Sequence, residues 1–223
     1  MLHFATGRVS SRSISMPNEL GSLAAADDEP PPLPSPERIQ QLLFDAARLG
    51  REEMIAALLQ AGADVTAVDP NGHSALILAS YHGHEAATAL LLQHGSIVDQ
   101  PDKARGNTAL MGVAFKGHAS IAELLLDAGA EPDATNLAGQ TALMMAALFG
   151  HGAIVDRLLE RGCDPHRQDA AGNSAISVAR SQSNEAMVSR LEARRVGSHA
   201  VPTGPFQGDV VEAAQIEQHP RSR

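Results

Sequence analysis

Asn136-Leu-Ala-Gly-Gln-Thr-Ala-Leu-Met-Met-Ala-Ala147 reads as a tight turn running into the first turn of a helix. Gly139 suits the turn. Thr141 can cap a helix by accepting a backbone N–H at its hydroxyl, and the Ala-Leu-Met run behind it is made of strong helix formers. Three other stretches align with it: Asp69-Pro-Asn-Gly-His-Ser-Ala-Leu-Ile-Leu-Ala-Ser80, Arg105-Gly-Asn-Thr-Ala-Leu-Met-Gly-Val-Ala114 and Asp169-Ala-Ala-Gly-Asn-Ser-Ala-Ile-Ser-Val-Ala-Arg180. Their glycines, Gly72, Gly106, Gly139 and Gly172, are spaced 34, 33 and 33 residues apart.

Two further landmarks keep the same period. One is the pair Gly83-His84, Gly117-His118 and Gly150-His151. The other is a Leu-Leu pair ahead of a glycine: Leu58-Leu59 before Gly62, Leu91-Leu92 before Gly95, Leu125-Leu126 before Gly129, and Leu158-Leu159 before Gly162. Each unit therefore reads as two short helices. Ser74, Thr108, Thr141 and Ser174 cap the first. Gly83, Gly117 and Gly150 reverse the chain where positive φ is needed, and the glycine after each Leu-Leu pair ends the second helix in the left-handed conformation. A lone unit of this kind cannot bury its apolar face, so units must stack.

The pattern resembles the ankyrin repeat, whose unit is about 33 residues long with a T-P-L-H signature. Here the signature becomes Ser74-Ala-Leu-Ile, Thr108-Ala-Leu-Met, Thr141-Ala-Leu-Met and Ser174-Ala-Ile-Ser. The family's Pro and His are both replaced, as in the short stand-alone form seen in bacterial ankyrin proteins. The resemblance implies an all-α solenoid of stacked helix-turn-helix units joined by short β-hairpin-like loops. The expected organisation is a repeat domain over 37–195. It comprises an N-terminal capping unit at 37–68, full repeats at 69–101, 102–135 and 136–168, and a polar C-terminal cap at 169–195. Residues 37–68 open on polar Glu37, Arg38, Gln40 and Gln41, while Asp45-Ala-Ala-Arg-Leu-Gly50 stays in phase with the later Gly-His pairs.

Outside this domain, the acidic, proline-rich 1–36 and the mixed 196–223 are expected to be disordered tails. Residues 1–20 carry Arg8, Arg12 and several serines with no acid before Glu19, a composition mildly like a transit peptide. The plainer expectation is a disordered leader, or a start at Met16.

Composition narrows the function. A net charge of -9 argues against non-specific nucleic-acid binding, which depends on Lys and Arg meeting phosphates. No run approaches the roughly 18 apolar residues of a membrane helix. Cys163 is the one cysteine, so an intramolecular disulfide and a thiolate cage are both excluded. The expectation is a monomeric cytoplasmic protein. No P-loop, dinucleotide fingerprint, nucleophile elbow or zinc-protease motif is present. The chain is expected not to be an enzyme and to need no cofactor.

His82, His84 and His94 form the one histidine set worth weighing as a metal site. His84, His118 and His151 share one repeat position, which the resemblance makes structural. Cys163 beside Asp164 is a poor thiolate and is expected to be a packed thiol.

Aromatic residues are only 3% of the chain, and Tyr81, Phe115 and Phe149 all fall just before the Gly-His turn. The resemblance implies that this row, with Arg48, His82, Lys116 and Leu148 beside it, faces a concave groove where protein partners dock. The alternative is that the rings fill gaps between helices. The turn tips form a second candidate surface, notably His73, Lys103 and Arg105; the tip at 102–106 carries one inserted residue. The leading expectation is a protein-binding module of the adaptor, inhibitor or assembly-factor kind. The alternatives are a histidine-based metal protein or enzyme, and a secreted host-directed effector.

Overall fold

A computed structural model of the chain describes residues 34–193. The expectations for the leader, the two tails and the last two residues of the C-terminal cap fall outside that range. Ten helices follow in order: α1 (Pro36–Leu49), α2 (Glu52–Gln60), α3 (Ala75–Tyr81), α4 (Glu85–Gln93), α5 (Ala109–Lys116), α6 (Ala119–Asp127), α7 (Ala142–Phe149), α8 (Gly152–Glu160), α9 (Ala175–Ser181) and α10 (Glu185–Ala193). No strand occurs among the described residues, and the β character of the loops is confined to one bridge between Val68 and Ser74.

Each odd helix turns back into the even helix after it, making five pairs. The odd helices form an inner row, α1-α3-α5-α7-α9, and the even helices an outer row. The inner row is the more closely packed. Its buried faces are rich in alanine: Ala75 and Ala79, Ala109 and Ala114, Ala146 and Ala147. Small side chains let the inner helices approach, the asymmetry that curves a stack toward its inner row. The outer row contributes larger side chains to the same core, with Ile55, Leu91, Ile121, Leu125, Ile154 and Leu158 essentially fully buried.

The caps behave as their residue types dictate. Ser74 Oγ accepts from Ile77 N–H (3.2 Å), Thr108 Oγ1 from Met111 N–H (3.4 Å), Thr141 Oγ1 from Met144 N–H (3.3 Å) and Ser174 Oγ from Ser177 N–H (3.2 Å). The first helix is capped by Ser35, with Pro36 in its first turn, where a missing N–H costs nothing. Polar side chains also tie one pair to the next. Arg157 meets Glu123 and Arg161 meets Asp127 across the outer row, and Arg190 pairs with Asp156. These are exposed bridges, each worth about 1 kcal/mol or less. Apolar burial, then, carries the stack.

Candidate protein-binding groove

Between consecutive helix pairs the chain makes a tight turn, and one side chain builds each of them. Asp69 Oδ1 accepts from the backbone N–H of Asn71 and of His73, both at 2.9 Å. Asn136 does the same for Ala138 and Gln140, and Asp169 for Ala171 and Asn173. Asp102 stretches the pattern over the inserted residue. Its carboxylate accepts from Arg105 N–H (2.6 Å), Gly106 N–H (3.2 Å) and Asn107 N–H (3.3 Å). An Asp or Asn side chain standing in for backbone is a recurrent turn device. Burial pushes the Asp69 carboxyl up, but the hydrogen bonds from His73 and Asn71 outweigh it and hold the group below the usual carboxylate range. Neighbouring turns are stitched together as well. Leu137 N–H donates to Arg105 O and Ala170 N–H to Ala138 O, each at 2.9 Å, while Asn136 Nδ2 donates to Asn107 Oδ1.

The aromatic row runs along the ends of the inner helices. The rings of Tyr81 and Phe115 lie 6.4 Å apart and nearly parallel, and those of Phe115 and Phe149 meet edge-on at 4.5 Å. Lys116 Nζ sits 5.0 Å from the centre of the Tyr81 ring, within cation–π range. The rings touch one another yet remain open to solvent: Phe115 is 41% exposed and Phe149 46%. Leu148 is exposed beside them, as is Leu49 at the end of α1. Phe44, the fourth aromatic of this part of the chain, is buried in the core.

Next to this row a pocket of about 470 Å³ opens between α3, α5 and the turns at 69–73 and 102–107. Ile77, Leu78, Tyr81 and Gly112 line its apolar part; Arg48, Arg105, His73, His82, Asn71 and Asn107 line its polar part, with Asp102. Five of the ten side chains singled out from sequence therefore share one cavity: Arg48, His73, Tyr81, His82 and Arg105. Phe115, Lys116, Leu148 and Phe149 continue the apolar row beyond it. Lys103 lies against Gly72 at the turn tip and does not line the pocket.

Gly112 was not among the sequence-derived candidates. It sits inside α5, four residues after the capping Thr108, where the neighbouring repeats carry Leu78 and Met145. A β-carbon there would lie 3.3 Å from Tyr81 Cδ2. The break in the repeat pattern was the signal that could have found it.

The histidines divide by role. His84 Nε2 lies 3.0 Å from Arg48 O, and His151 Nε2 lies 3.2 Å from Phe115 O. These links reach the previous helix pair and not their own turn. His118 Nε2 is buried and has no hydrogen-bond partner among the described residues. His82 is exposed; partial burial and the nearby charges of His84, Arg48, Lys116 and His118 push its pKa down. His94 lies at the far end of α4 from His84, roughly 15 Å away along the helix axis. Among the described residues no three His, Cys, Asp or Glu side chains are placed to share a metal ion. Cys163 is buried, its thiol pushed up to about 12 first by burial and then by Asp133. No described helix is long and apolar enough to cross a membrane.

Stacked helix pairs with a half-exposed aromatic row on the inner side define a repeat solenoid. A family model of ankyrin repeats, in three copies, matches residues 43–136, 98–169 and 113–195. The chain belongs to the ankyrin-repeat family, whose members are generally protein-interaction modules. No curated protein matches the chain closely enough to count as a relative.

Proposed function

We propose that this protein is a non-catalytic binding module, an adaptor, inhibitor or assembly factor acting in the cytoplasm as a monomer. It would hold a protein partner in the groove between the inner helices and the turn tips. One observation supports this above the others: Tyr81, Phe115 and Phe149 form a connected line of rings, two of them more than two-fifths exposed, in a chain poor in aromatics. Exposed, mutually braced aromatics offer large contact area at little further ordering cost, which is what binding hot spots need. Arg48, His82, Lys116, Leu148, His73, Lys103 and Arg105 surround the line as its polar and aliphatic rim.

The test is affinity capture from native lysate, with the triple variant Tyr81→Ala/Phe115→Ala/Phe149→Ala run beside the wild type. Capture of the specific partner should be lost. The melting temperature should drop only by several degrees, since an aromatic pair contributes about 0.5–1.5 kcal/mol. A partner still held by the variant would place the binding surface elsewhere.

A further inference from the structure

The geometry points to the Gly112 pocket as a receptor for a carboxylate side chain, so that the partner offers an acidic residue flanked by an apolar one. This deepens the groove reading above and rests on it. Two guanidinium groups reach the cavity from different sides of the stack, Arg48 from α1 and Arg105 from the 102–107 turn. Arg105 makes no ion pair among the described residues. The acids nearby do not neutralise it: Asp102 is occupied by three backbone N–H groups of its own turn, and Asp69 by Asn71 and His73. Asn107 accepts from Asn136 through Oδ1, which leaves its amide hydrogens as donors.

The pocket thus has unpaired donors, positive charge and one apolar wall, within a chain of net charge -9. A single carboxylate matches that set. A phosphate dianion matches it less well, because Asp102 stands in the lining. The apolar wall formed by Ile77, Leu78 and Tyr81 continues into Phe115 and Phe149, so the residue beside the acid has a surface to meet. The cavity depends on Gly112: a Leu or Met here, as in the adjoining repeats, would occupy it.

The test is selection from a random-peptide display library on the immobilised full chain, followed by titration of the recovered peptides as labelled synthetic probes. The expected consensus pairs Asp or Glu with an aliphatic or aromatic neighbour. Arg105→Ala should weaken binding about tenfold or more, the range for a lost charged hydrogen bond. Gly112→Leu should abolish it, while circular dichroism and melting show both variants folded.

Peptides that carry no shared acid, ignore both substitutions and yet fail on Phe115→Ala/Phe149→Ala would overturn the carboxylate assignment and leave the groove standing. Peptides that also ignore the aromatic variant, or no enrichment at all, would overturn both. Phosphoserine versions that bind more tightly than Glu versions would overturn the carboxylate in favour of phosphate. A peptide of residues 208–218 that outbinds every recovered sequence would make the chain its own occupant and overturn a partner in trans.

Discussion

His84 and Gly50 meet across the boundary between the first two helix pairs: the imidazole lies where a β-carbon on Gly50 would be. From there its Nε2 reaches the carbonyl oxygen of Arg48 at the end of α1, 3.0 Å away. The relationship recurs between Gly117 and His151, and Gly83 receives the ring of His118 in the same way. The last unit carries Asn184 in place of the histidine, and Gly150 faces its amide at a looser 3.8 Å. The repeated Gly-His pair is therefore a lock between units. Each glycine serves the histidine of the unit that follows, not its own neighbour in sequence.

That lock predicts unequal costs for two glycines with nearly equal backbones. Gly117 has φ 86° and Gly129 φ 91°. Replacing either with alanine puts a β-carbon in the left-handed region, at about 1–2 kcal/mol. Gly129 has nothing within 4 Å of the new carbon, whereas at Gly117 the His151 ring stands 2.6 Å away. Gly117→Ala should therefore cost about 1 kcal/mol more than Gly129→Ala, the worth of the displaced His151 hydrogen bond. Urea unfolding measures the gap, and adding His151→Ala to both variants should close it. Equal costs without that addition would mean the ring moves aside freely.

His82 makes the groove pH-sensitive. Its pKa is lowered in the folded chain, by burial first and then by His84, Arg48, Lys116 and His118. The unfolded chain takes up this proton more readily than the folded one. Stability from this group is thus complete above the usual histidine value of about 6.5 and is lost as pH falls through the lowered folded value. Lys116→Gln should move the His82 titration upward, and so should added salt, because Lys116 is exposed and its field is screened. Ring NMR shifts followed against pH measure this directly. A wild-type His82 titrating at or above the ordinary value contradicts the geometry.

Cys163 should be inert while the chain is folded. Its thiol is raised to about 12, and its Sγ lies 3.4 Å from Pro132 O. The sign is opposite to that of His82. The folded state disfavours the thiolate, so this contribution is whole below the ordinary thiol range and disappears as pH climbs toward about 12. Iodoacetamide at mildly alkaline pH should leave the native protein unmodified and label it fully in denaturant, read by intact mass. Labelling of the native chain at the rate of a free thiol would show that the helix pairs around Cys163 open far more often than the packing implies.

How far the sequence was legible differs by feature. The caps at Ser74, Thr108, Thr141 and Ser174 and the positive-φ glycines could be placed because each depends on atoms within three or four residues. Asp69, Asn136 and Asp169 were seen as part of a turn pattern, but their acceptance of two N–H groups was not read from it. Within the ten candidate side chains the sequence could not separate Lys103, which lies on the turn surface, from Arg105, two residues on, which lines the pocket. Side-chain direction at a tip depends on the turn beside it, and the backbone bond from Leu137 to Arg105 belongs to that neighbour.

By itself, the order of residues determined the period, the helix pairs and their ends, since those follow from local propensity, hydroxyl capping and glycine's freedom at positive φ. Tertiary structure alone decided that the three rings brace one another while staying in solvent, that each histidine locks onto the preceding unit, and that Gly112 opens a cavity between two guanidinium groups. The reason is physical. Those features arise between residues about 30 to 60 positions apart, whose distance is set by how closely the alanine-lined inner helices stack.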